Sequence, residues 1–116
     1  MALFSNPRKE LDEALEGLLL NFGGNSGNRG STAIVDRLSR AQQLIDKLKA
    51  KGRSSDATEA IDLVAVKEPQ HVMFVRGFTE EQKRAAIEKL NTAPRDDAMI
   101  AGWAELCAEL RAQAGG

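Results

Sequence analysis

A chain of 116 residues and 12.6 kDa is one domain by length, and on folding it buries roughly two-thirds of its unfolded surface. Its 42% hydrophobic and 28% charged residues lie within the globular range and outside the disordered one. Sixteen basic residues nearly balance 17 acidic ones, for a formal net charge of −1, so nucleic acid or an anionic membrane would have to be held by a local patch.

The first helix is predicted over about residues 7–22. Asn6 caps it, Pro7 occupies the first helical position where its missing N–H costs nothing, and Glu10, Asp12 and Glu13 sit at the positive end of the dipole. Leu11, Leu15, Leu18 and Phe22 recur at helical steps, with Ala14 and Leu19 widening the stripe, and Gly23-Gly24 is read as the stop. The run GGNSGNRG over 23–30 then reads as a helix–helix connector.

Ser31 or Thr32 caps a second helix, about 32–51, whose stripe is Ile34, Leu38, Ala41, Ile45 and Leu48. Its period matches that of the first helix, so the two are expected to form an antiparallel hairpin. Lys47, Lys49, Lys51 and Arg53 gather at its C-terminal end, complementing the dipole. Ser54-Ser55-Asp56 is the next capping signal, for a helix over about 56–66 with Ala57, Ala60, Ile61, Val64 and Ala65 inward, stopped by Pro69.

The run HVMFVRGF, residues 71–78, has the highest β-propensity in the chain, and 71–76 is read as one short strand-like segment. Thr79 and Gln82 then form a capping box for a helix over about 80–91 with Ala86, Ile87 and Leu90 as its buried stripe. A last helix, about 96–114, starts at Asp96-Asp97 and carries Ile100, Trp103, Cys107 and Leu110, broadened by Met99 and Leu106. The expected fold class is therefore all-α: a small single-domain bundle of four to five helices.

Chemistry-bearing groups are sparse. His71 and Cys107 are each the only residue of their type, which gives no soft-ligand set for a metal and no disulfide. A Cys107–His71 pair would be the one nucleophile–base combination, but Cys107 falls on an apolar stripe, where a thiol is ordinarily a small core residue. Glu105 and Glu109 share a helix face without the Glu-x-x-His spacing of a di-iron bundle, and read as a solvated face. No catalytic residue, metal or cofactor is assigned. The N-terminal segment offers only Leu3 and Phe4 before Arg8, Lys9 and Glu10, short of the apolar core of a signal peptide, and this with the lone cysteine makes the cytoplasm the expected compartment and a membrane an unexpected partner.

Two binding surfaces remain. If Val72–Val75 is extended in an otherwise helical protein, its backbone groups need a partner strand or a second copy, so Val72, Met73, Phe74, Val75, Arg76 and Phe78 are the candidate protein interface. The alternative is a small anion or nucleic acid held by Arg29, Gly30, Ser31 and Thr32 at a helix N-terminus with Lys47, Lys49, Lys51 and Arg53. The glycine run lacks the lysine and hydroxyl spacing of a phosphate loop, and no aromatic residue interleaves with the lysines to stack on bases. The leading functional expectation is a non-catalytic partner-binding protein such as an adaptor, inhibitor, assembly factor or small structural subunit, of a kind common among bacterial and viral regulators. The partner is another protein or a second copy of the chain.

Overall fold

The computed structural model describes residues 6–69 and 77–115. They form an all-α fold, with α1 over Pro7–Gly24, α2 over Thr32–Ala50, α3 over Ser54–Ala65, α4 over Glu80–Thr92 and α5 over Asp97–Gly115. The strand-like segment expected at 71–76 lies outside the described residues.

Four helices share one core. The largest interfaces are α1 with α2 and α3 with α5, and α1 against α3 joins these two pairs into layers. The α1 stripe is buried as its spacing requires: Leu11, Ala14, Leu15, Leu18, Leu19 and Phe22 all face inward. They meet Ile34, Ala41, Leu44, Ile45 and Leu48 of α2, Ala57, Ala60, Ile61 and Val64 of α3, and Trp103, Leu106, Cys107, Leu110 and Ala114 of α5. Each buried Leu, Ile or Phe contributes roughly 1.5–3 kcal/mol of transfer free energy. No polar or charged residue is buried among the described residues, so apolar packing dominates.

The helix ends show local chemistry at work. The Asn6 side chain accepts from the Lys9 amide, Ser31 from Ile34 and Thr79 from Gln82, whose own side chain reaches back to the Thr79 amide. After α2, Gly52 adopts φ +71°. Its amide donates to Lys49 O at 3.0 Å and that of Arg53 to Leu48 O at 2.9 Å, the paired bonds of a Schellman stop.

Several expectations are corrected. Gly23 and Gly24 do not end α1. The helix runs through both and stops at Asn25, with Ser26 taking the left-handed conformation at φ +53° and the Gly27 amide donating to Phe22 O at 2.8 Å. Position 23 takes glycine because the chain after α3 passes close over it: a Cβ there would lie 2.4 Å from the Pro69 carbonyl oxygen. The residue preceding α3 is Arg53, without a side-chain cap, and Ser54 is already helical. On α2, Leu44 is buried while Leu38 is only partly so, and Ile100 of α5 is likewise half-buried.

The largest correction concerns α4. Ala86, Ile87 and Leu90 are not a buried stripe: the helix has no buried residue, and none of the other described helices packs against it. Such a helix still forms, because its capping box, Glu80 and Glu81 in the first turn and Lys89 in the last satisfy its ends locally.

Candidate functional site

The α4 arm is bounded on both sides by local geometry. Gly77 precedes it at φ +85°, a conformation that costs glycine little. After it, Ala93 is extended (φ −68°, ψ 144°), as the residue before a proline must be. Arg95 then ties the junction down, its Nε donating to Asp97 Oδ1 at 2.7 Å and its Nη1 to Glu68 Oε1 at 3.4 Å. Asp96 Oδ1 accepts from the Met99 amide at 2.9 Å and so starts α5.

The arm carries apolar surface that the other described helices leave in water. Ile87 is 52% exposed and Phe78 39%, and Ala86 and Leu90 are half-buried. Elsewhere Val35, Leu63 and Val66 are also exposed, but on or beside helices whose opposite faces fill the core. A whole helix with its stripe uncovered differs from scattered surface apolar residues, which need no explanation.

Of the residues expected to form a protein interface, Phe78 stands exposed at the foot of the arm, while Val72, Met73, Phe74, Val75 and Arg76 lie outside the described residues. The anion-site residues are not brought together. Arg29, Gly30, Ser31 and Thr32 lie at the start of α2 and Lys47, Lys49, Lys51 and Arg53 at or beyond its end, and the helix's 19 residues separate the groups by about 28 Å. Several are already engaged: Arg29 Nη1 meets Glu109 Oε2 at 2.6 Å, the Ser31 hydroxyl caps Ile34, Lys49 Nζ donates to Gln113 O at 2.6 Å, and Arg53 Nε donates to Asp56 Oδ2 at 2.7 Å. Gly30 donates its amide to Asn28 Oδ1 at 3.0 Å. Lys47 and Lys51 are exposed.

Open clefts among the described residues include two on the bundle. One, of about 350 Å³, lies between α1 and α2, lined by Glu10, Glu13, Ala14, Asp36, Arg37 and Arg40. Its charges are mixed and solvated. Arg37 lies across Gly17, where a Cβ would come within 2.5 Å of its Nη1, and Arg40 approaches Glu10 at 3.7 Å. The other, of about 220 Å³, lies between α3 and α5, with Ile61, Ala65, Ala104, Cys107 and Ala108 as apolar lining and the Asp62–Arg111 ion pair in its wall.

Cys107 is 3% exposed, and burial pushes its thiol up to about 12. At neutral pH it is a protonated core side chain and not a nucleophile, since the thiolate is the reactive form. His71, its one conceivable base, lies outside the described residues. Among the described residues no group of three or more acidic, histidine or cysteine side chains is placed to hold a metal ion, and no helix is long and apolar enough to cross a membrane. Compared with known proteins, the chain matches no family model, no curated protein and no solved structure.

Proposed function

We propose that this protein acts without catalysis, by binding another polypeptide through the α4 arm and the exposed Phe78 at its foot. One observation carries the reading: a capped, amphipathic helix whose Ile87 and Leu90 find no cover among the other four described helices. Apolar side chains left in water on an otherwise satisfied helix gain roughly 25 cal/mol per Å² when a partner covers them, and a helix laid in a partner's groove is a recurrent way to achieve this. Adaptor, inhibitor, assembly-factor and structural-subunit roles all fit this use of the arm. The separation of about 28 Å between the two basic ends of α2 gives the anion-binding alternative no comparable support.

A photo-crosslinking amino acid placed at Ile87 in the cell of origin tests the reading, with the same group at exposed Gln43 of α2 as control. The expected result is a discrete polypeptide adduct at position 87 and none at 43. No adduct at either position, or equal adducts at both, sinks the proposal.

A further inference from the structure

Helices α1, α2, α3 and α5 stabilise one another. Each places a row of buried side chains in the common core, so none can unwind without exposing the stripes of its neighbours, and the four melt as one cooperative unit. No such tie holds α4, which has no buried residue and against which none of the other described helices packs. Its stability is therefore local.

The residues set the size of that stability. At 13 residues an isolated helix is marginal in water, because its first turn fixes several dihedrals for a single hydrogen bond. Neither flank supplies a ready nucleus: Ala93 before Pro94 is extended at ψ 144°, which stops α5 from propagating backwards, and Gly77 lies in the left-handed region at φ +85°. Against that cost stand several single-turn gains. The run from Glu80 to Ala86 consists of good helix formers, and the Thr79–Gln82 box closes its two bonds at 2.9 and 3.1 Å. Lys83 approaches Glu80 at 3.3 Å, and the Thr92 hydroxyl donates to Glu88 O at 2.9 Å. Nucleation cost and local gains are of similar size, so the balance lies where small changes move it.

We propose that α4 folds and unfolds independently of the bundle, and that this helix–coil equilibrium is the device that regulates the arm. Only the helical form sets Ile87 and Leu90 together on one face. A polypeptide that covers this face binds the folded fraction alone, and its apparent affinity scales with that fraction. Residues on the far side of the helix thus tune binding without touching the partner. This regulatory use rests on the reading of α4 as a partner-binding arm; the independence of the helix does not.

Nuclear magnetic resonance of the purified full chain tests the independence. The amides of Glu88 and Leu90 should exchange with solvent at least about a thousandfold faster than those of Leu18 and Ile45, which open only with the bundle. Ala85→Gly, at an exposed position opposite the apolar stripe, and Thr79→Ala, which removes the cap, should each shift the arm about fivefold toward coil. The α-carbon shifts over Glu80–Thr92 read this directly, while the melting temperature of the bundle stays unchanged. Arm amides protected as strongly as those of Leu18, or a lowered bundle melting temperature in either variant, overturns the independence. The regulatory use has its own readout: the crosslinker at position 87 should yield up to about fivefold less adduct when Ala85→Gly is added, and an undiminished yield overturns it. If the wild-type chain gives no adduct, the partner-binding reading fails and the regulatory use with it, while the exchange rates still decide whether α4 folds alone.

Discussion

The indole Nε1 of Trp103 donates a buried hydrogen bond of 3.1 Å to the backbone carbonyl of Val64, in the last turn of α3. That carbonyl also accepts from the Lys67 amide at 3.1 Å, so the largest core side chain supplies a second bond to a helix end and ties α5 to the last turn of α3. The same indole packs tilted against Phe22 of α1, ring centroids 5.3 Å apart. One side chain thereby joins the two layers. Trp103→Phe should remove the bond and leave a small void, destabilising the fold by roughly 2–4 kcal/mol. Chemical denaturation would read this as a lower midpoint at an unchanged slope, and an unchanged midpoint would mean the bond contributes nothing.

Two neighbouring glycines should respond oppositely to the same substitution. At Gly24 a Cβ meets nothing within 4 Å, whereas at Gly23 it would lie 2.4 Å from the Pro69 carbonyl oxygen. Both are helical, so alanine gains about 1 kcal/mol of helix propensity at either position. Gly24→Ala should therefore raise the melting temperature and Gly23→Ala lower it, because a backbone atom cannot move aside as a side chain can. Ser26, at φ +53°, offers a third case: Ser26→Gly should stabilise by about 1 kcal/mol, the usual cost of a non-glycine residue in the left-handed region.

Helices such as α1 were legible in the sequence because stripe and cap agree, as in Asn6-Pro7 followed by Leu11, Leu15 and Leu18, whereas α3 was legible from its stripe alone. The position of α4 was not. Thr79, Gln82, Ala86, Ile87 and Leu90 specify an amphipathic helix whether its apolar face meets its own chain or another, and periodicity does not say which. The α3–α5 cleft was illegible for a related reason: Ala65, Ala104 and Ala108 are individually bland, and only the crossing of two helices brings them together. By contrast, the basic residues at 29 and 47–53 belong to opposite ends of α2, a separation already contained in the span of about 32–51 expected for that helix.

Isoleucines on α2 and α4 should separate core from arm. Ile45→Ala removes a fully buried side chain and should cost roughly 2–5 kcal/mol. Ile87→Ala, at an exposed position, should stay within about 0.5 kcal/mol when measured on the purified chain. Equal losses would mean that α4 is covered by its own chain.

The acid limb of stability should depend on Asp56. Its carboxyl is held below the usual value by a hydrogen bond from Arg53, with the charges of Arg53 and Arg8 adding to the effect and partial desolvation opposing it. A carboxylate with a depressed folded-state pKa contributes stability that is fully present above its unfolded value, about 4, and is lost as the pH falls through its folded one. Melting curves of the wild type and Asp56→Asn should therefore differ at pH 6 and converge as the pH falls below the folded-state value of Asp56. A gap that persists undiminished at the acid end would show that Asp56 acts through packing and not through its charge.

Thiol chemistry offers a clock for opening of the core. With Cys107 3% exposed and its thiol pushed up to about 12, the folded protein at pH 8 presents almost no thiolate, while an unfolded cysteine near 8.5 is about a quarter ionised. A thiol-specific reagent should thus label the native protein only as fast as α3 and α5 part or the whole chain unfolds. The labelling rate should rise with denaturant in step with unfolding, and Trp103→Phe should accelerate it by loosening the same interface. Rapid, denaturant-independent labelling would mean that the cleft between Ala104 and Ala108 already admits solvent to the sulfur, and the thiol would then be a reactive group in the folded state.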